Sequence, residues 1–174
     1  MLLRAIIIIS LFTLLTSCSR ENPYPVVAEN TANEKPMANE NSSSTKLKRA
    51  EFIKLMQTVA DGWNEGNAKK ASDCYREDAT YTEPPDKQVY IGRKALYEFF
   101  GGDSKPQPPM KMAWHNLAFN EEEQVGFGEY TFQMNNRYHG IVVVKIKNGL
   151  INNWREYQYK SDQEWDEFIK NNRF

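Results

Sequence analysis

Cysteine is nearly absent from this chain of 174 residues, with Cys18 and Cys74 as its two examples. Cys18 falls in the N-terminal leader region, so Cys74 is the one thiol left to the folded part, which can then hold no internal disulfide even in an oxidising compartment. Histidine is equally scarce, at two residues, and no HxH, HxxE or CxxC spacing occurs, so no metal site is expected. A basic cluster is missing as well. The 22 Lys and Arg stand against 23 Asp and Glu, for a net charge of -1, and without a row of phosphate-neutralising cations the composition argues against nucleic-acid binding. The densest basic group, Lys46, Lys48 and Arg49, reads as a solvated helix start. No apolar run reaches the roughly 18 residues that a permanent membrane-spanning helix requires.

What is present begins with an address. Met1 to Ser17 has one positive charge, Arg4, followed by an apolar run from Ala5 through Ile9 that continues in Leu11, Phe12, Leu14 and Leu15, which is the shape of a secretory signal. The run closes on Leu15-Thr16-Ser17-Cys18, which resembles the bacterial lipobox: an aliphatic residue, two small residues and the cysteine that takes lipid. The resemblance implies cleavage before Cys18, lipidation of that cysteine and stable anchoring of the mature protein at a membrane of the cell envelope. Ser19 in place of Asp after the anchor favours the outer membrane where the organism has one. From residue 18 to 45 the chain is rich in Asn, Glu, Ser and Pro with few large apolar groups, and such a composition predicts a disordered tether.

About 130 residues remain, from 46 to 174, enough for one hydrophobic core and too few for two domains. Phe52, Leu55, Met56, Val59, Ala60 and Trp63 recur at helical spacing, and the helix they predict ends near Asn64-Glu65-Gly66-Asn67. A short helix is expected from Ala68 to Tyr75, with a buried, chemically inert Cys74 within it. Ala79 to Glu83 reads as a strand stopped by Pro84-Pro85, and a third helix runs from Gly92 to Phe100. The period then changes. Met110 to Phe119, Gln124 to Gln133, Tyr138 to Lys147 and Leu150 to Tyr159 read as strands, and Asn148-Gly149 between the last two is the strongest hairpin signal in the chain. Ser161 is expected to cap a last helix through Ile169. Helices followed by an antiparallel meander predict an α+β domain with its helices on one face of a curved sheet.

The order of these elements, with "DGWNEGNAKKASDCYREDATYTEPP", "YIGRKALYEFF" and "HGIVVVKIKNGLINNWREYQY", resembles the nuclear transport factor 2-like superfamily and, within it, the SnoaL-like group. The resemblance spans Phe52 to Tyr159. It implies a cone, a strongly bent, mostly antiparallel sheet wrapped around N-terminal helices and enclosing one pocket, and it implies a homodimer. Glu83, just before a proline, matches the place where ketosteroid isomerases of this superfamily carry their general base. The places of their oxyanion donors fall on Val59 and on Val142 or Val143, which are apolar, so that mechanism is incomplete here; Tyr81 or His139 are the available substitutes. Trp154-Arg155-Glu156-Tyr157 resembles a segment of limonene epoxide hydrolases in which the acidic residue helps to activate water. The arginine expected on a neighbouring strand is missing from Gly126-Phe127-Gly128-Glu129-Tyr130, which breaks that triad.

A carboxylate inside an apolar cone is costly to desolvate and needs a reason to be there. Glu83, Glu156 and His139 are therefore the candidate catalytic residues, and Trp63, Tyr75, Tyr81 and Trp154 the candidate ligand contacts. Strand alternation places Trp154 and Glu156 on one face and Arg155 and Tyr157 on the other. Plainer roles stand beside these: Glu83 solvated at a strand end, Glu156 in a cross-strand ion pair or a dimer contact, His139 solvated, the aromatics as core. The leading expectation is a lipid-anchored domain that binds a small, largely apolar molecule with no cofactor. Proton-transfer chemistry of isomerase or lyase type with Glu83 as base, and a non-catalytic interaction module of the envelope, are the alternatives, since this scaffold carries many functions.

Overall fold

The computed structural model describes residues 45–84, 87–104 and 109–173. The expected signal peptide (1–17), the lipidated Cys18 and nearly all of the tether (18–45) lie outside the described residues.

The first helix, α1 (Arg49–Asn64), buries Phe52, Met56, Val59, Ala60 and Trp63 along one stripe. Its start is held by Glu51, whose carboxylate accepts from the Lys48 backbone N–H at 2.7 Å. Gly66, at φ 63°, ends it, and Asn67 N–H donates back to the Gly62 carbonyl at 2.7 Å, a turn that favours a residue without a side chain. Asn67 then caps α2 (Ala68–Ser72) by accepting from Lys70 N–H at 2.9 Å.

This second helix is shorter than the sequence suggests, because β1 (Tyr75–Glu83) begins earlier. Arg76, Glu77 and Asp78 hid the strand, since three consecutive charged residues show no alternation. An element with no sequence signal follows, the short edge strand β2 (Gln88–Ile91), and then α3 (Arg93–Phe99). The meander is as expected: β3 (Lys111–Asn120), β4 (Val125–Gln133), β5 (Arg137–Lys147) and β6 (Leu150–Lys160). Asn148 and Gly149 take φ of 52° and 78°, the left-handed pair that a two-residue hairpin turn demands. The last helix, α4, is only Trp165–Phe168. Ser161 does not cap it; its hydroxyl accepts from Gln163 N–H at 3.2 Å in a local turn ahead of the helix.

The six strands form one unclosed, curved sheet in the order β2-β1-β6-β5-β4-β3, antiparallel throughout except for the parallel β1–β6 pair. Helix α1 is fastened to β3 by Trp114 Nε1–H, which donates to the Met56 carbonyl at 2.8 Å, and by the paired Asn64–Met112 bonds at 2.6 and 3.0 Å. At the α1 end of the sheet the inner face is wholly apolar, with Val144, Ile146 and Ile151 against Phe52 and Val59 in one cluster. Towards the other end of β6 that apolar filling stops, and a cavity begins.

Candidate functional site

The alternation of β1 turns Ala79, Tyr81 and Glu83 inward, and that of β6 turns Trp154 and Glu156 the same way. The parallel pairing sets Tyr81 directly beside Trp154, their rings stacked at 5.8 Å. Two glutamates 73 positions apart in sequence thus face one cavity of about 360 Å³, within the range of ordinary small-molecule pockets. Trp63, Tyr81, Phe99, Phe100, Phe132 and Tyr138 supply its aromatic wall.

Both carboxyl groups are buried at 4% exposure. Glu156 accepts three hydrogen bonds: from Trp154 Nε1–H at 2.6 Å and Tyr81 Oη–H at 2.8 Å on Oε2, and from Tyr130 Oη–H at 2.7 Å on Oε1. Tyr130 reaches it because β5 has Gly140 alongside. A methyl group there would overlap the Tyr130 ring. Glu83 has Tyr81 Oη 3.1 Å from Oε1, and its Oε2 accepts from Gln88 Nε2 at 3.2 Å and Gln158 Nε2 at 3.3 Å.

The Tyr81 hydroxyl has two carboxyl neighbours and one hydrogen. The shorter contact takes that hydrogen. Glu156 already receives a donor on each oxygen, the pattern of an ionised carboxylate, and the shared Tyr81 hydroxyl links it to Glu83. Burial, the larger effect, raises the Glu156 carboxyl above its ordinary range, and the bonds from Tyr130, Trp154 and Tyr81 offset part of this. Burial and then the nearby Glu156 hold the Tyr81 and Tyr130 phenols well above theirs, so both keep their protons and remain donors. The result is a chain at the cavity wall, Glu83–Tyr81–Glu156, joined through one hydroxyl.

The other candidates separate into wall, support and neither. Trp63 and Tyr81 stand in the cavity wall. Trp154 lies behind it and orients Glu156 through the indole N–H. Tyr75 is fully buried against Phe100 and Trp154, outside the wall. His139, the third candidate catalytic residue, is not in the cavity wall. Its neighbour Tyr138 lines the cavity, so alternation sends His139 through the sheet to the opposite face, where Nε2 bonds the Gln163 carbonyl at 3.1 Å and the ring packs on Phe168. Among the described residues Glu156 has no ion pair; its partners are the three neutral donors. Val59 and Val142, at the places of the isomerases' oxyanion donors, are fully buried apolar residues. Cys74 lies in the turn before β1, where burial pushes its thiol up to about 12 and keeps it from acting as a nucleophile. Tyr130, Gln88 and Gln158 belong to the site without having been singled out. The alternation Trp154-x-Glu156-x-Gln158 contained the signal for the last of them.

Comparison with known proteins agrees with this architecture. No curated protein matches the sequence. Among solved structures, a protein of unknown function with a cystatin-like fold from Methylobium petroleophilum PM1 superposes with a TM-score of 0.57 at 18% identity, covering 69% of this chain and 82% of that one. A putative ketosteroid isomerase from Kribbella flavida DSM 17836 gives 0.56 at 14% identity, with 66% and 82% covered. A protein with a ketosteroid isomerase-like fold from Catenulispora acidiphila DSM 44928, in complex with trimethylamine, gives 0.53 at 10% identity, with 59% and 83% covered. Identities this low establish the fold alone. The SnoaL-like domain family matches residues 56–154. That match covers more than half of the chain and includes both inward-facing strands up to Trp154, and on it the protein belongs to the SnoaL-like domain family, built on the nuclear transport factor 2-like fold.

Proposed function

We propose that this protein is a lipoprotein of the cell envelope, anchored through Cys18, whose domain binds a small, largely apolar molecule in the cone cavity. The observation that carries the binding reading is the pair of buried carboxyl groups in a cavity wall otherwise made of aromatic rings, methionines and uncharged amides. A carboxylate in such surroundings weakens a fold unless it is paired with a cation, and the retention of Glu156, whose donors are all neutral, at a cavity points to a ligand. The trimethylamine bound by the Catenulispora protein is consistent with a fold that admits small molecules.

A second reading, proton transfer on the bound molecule, is favoured by the Glu83–Tyr81–Glu156 chain. Here Glu83 is the group that gains or gives the proton and Tyr81 hands it on, with Glu156 as the anion that makes this possible. An envelope dimer is compatible with both. Ile141, Tyr157 and Tyr159 lie exposed on the outer sheet face, Ile141 opposite Tyr157 and Tyr159 opposite His139 across β5 and β6, and such apolar patches mark contact surfaces.

Cyclohexanone provides a direct test. Added to isotopically labelled protein, it is expected to shift amide signals of residues around the cavity and few others; shifts scattered over the surface would remove the binding reading. In heavy water, exchange of its α-hydrogens faster with wild type than with Glu83→Gln would establish proton transfer, and equal rates would end that second reading.

A further inference from the structure

The three donors around Glu156, Tyr81, Tyr130 and Trp154, are those of a carboxylate held in its charged form, and all three are neutral. An interior carboxylate ordinarily meets an arginine or lysine, or gives up its charge. None of the ion pairs among the described residues includes Glu156. The cavity wall contains no lysine, arginine or histidine among those residues either. Nearby cations are spent elsewhere. Arg155, adjacent in β6, is exposed on the outer face, Arg137 pairs with Glu164, and Arg93 pairs with Glu77 at 2.6 Å.

The rest of the wall has a matching character. Aromatic rings contributed by α1, β1, α3, β4 and β5 surround the space, and ring faces carry the negative side of the aromatic quadrupole, which attracts ammonium groups whose hydration has been removed. Trp63, buried at 5% exposure, contributes its ring to this wall. An anionic ligand would meet Glu156 with no cation in the wall, among the described residues, to offset it.

We infer that the cavity is built for a small organic cation, an alkylammonium with apolar substituents, seated between the Glu156 carboxylate and the surrounding ring faces. This names the ligand class of the small-molecule site proposed above and rests on that reading. The cation supplies the counter-charge that the fold withholds. Its apolar substituents lie against Phe99, Phe100 and Phe132.

The test compares two molecules of one shape, phenyltrimethylammonium and the neutral tert-butylbenzene, by titration calorimetry with the whole chain. The cation is expected to bind at least about tenfold more tightly than the isostere. Glu156→Gln should weaken the cation by about tenfold and leave the isostere unchanged. Phe132→Leu, which keeps the apolar volume and removes one ring face, should weaken the cation by about threefold, and it supplies the result should Glu156→Gln fail to fold. An isostere that binds as tightly as the cation, or a cation affinity indifferent to both substitutions, overturns the inference while leaving a neutral ligand for the site. No binding of either molecule overturns it as well. The broader small-molecule reading falls with it only when cyclohexanone also leaves the cavity residues unmoved.

Discussion

The two faces of the sheet treat their buried titratable groups in opposite ways. Inside, Glu156 is surrounded by neutral donors beside an open cavity. Outside, the chain's two histidines lie under the C-terminal segment: His115 stacks on Trp165 at 3.8 Å and bonds Thr131 Oγ1 at 3.0 Å, while His139 packs on Phe168 at 4.7 Å. Burial is the largest cause of perturbation on both faces, yet it acts with opposite sign, raising the carboxyl of Glu156 and lowering the imidazole of His115. The outer groups are covered by rings of the chain's own last helix. The inner carboxylate is left facing space, which is why the inner face carries the functional reading.

The largest effect that would break this contrast is at Gly140. A methyl group there meets the Tyr130 ring, which cannot move away without leaving Glu156. Gly140→Ala is expected to cost about 2 kcal/mol by denaturant unfolding, with loss of cavity binding. Unchanged stability would mean that Tyr130 has another position open to it.

Next is the outer cover. Trp165→Ala removes the ring stacked on His115 and should destabilise the domain by about 1 kcal/mol. In an NMR titration it should also move the His115 imidazole upward, towards its ordinary range. An unmoved titration would show that α4 does not shield it.

The pH dependence separates the faces by sign. The folded pKa of His115 lies below its unfolded value, so its contribution is fully present above about pH 6.5 and is lost as pH falls through the folded value. The folded pKa of Glu156 lies above its unfolded value, so its contribution is present below about pH 4.3 and is lost as pH rises through the folded value. Stability profiles of His115→Phe and Glu156→Gln should therefore depart from wild type in opposite directions, the first losing a rise with pH and the second losing a fall. Profiles that depart in the same direction would contradict the assignment. The smallest change is Tyr130→Phe, which removes one of the three donors to Glu156 and should raise that carboxyl's pKa further, seen by carbon NMR of the carboxyl signal.

Much of the fold was legible because its signals are local. Asn148-Gly149 sets a hairpin, the stripe from Phe52 to Trp63 sets a helix, and Trp154-x-Glu156 sets a face. The missed strand β2 has four residues between a proline pair and a helix, too few to show a period. The site was half legible for the same reason. Glu83 and Glu156 each stood out as acids in apolar surroundings, but their link through Tyr81 depends on the non-local parallel pairing of β1 with β6. The reach of Tyr130 depends on the side chain that Gly140 lacks. His139 was a candidate catalytic residue beside a solvated alternative because its position at a strand start was read without the parity of the strand, which gives the inner face to Tyr138.

The central claim is that the Glu156 carboxylate is kept for a ligand at a cost in stability, and the unfolding midpoint of Glu156→Gln at pH 7 tests it most directly. The amide can keep every partner: its oxygen accepts from Trp154 and Tyr81, and its nitrogen donates to a Tyr130 hydroxyl that has rotated. The account predicts a midpoint raised by roughly 4 °C, corresponding to about 1 kcal/mol. A midpoint lowered by as much would show that the carboxylate holds the fold together, and the functional reading of the inner face would then be withdrawn.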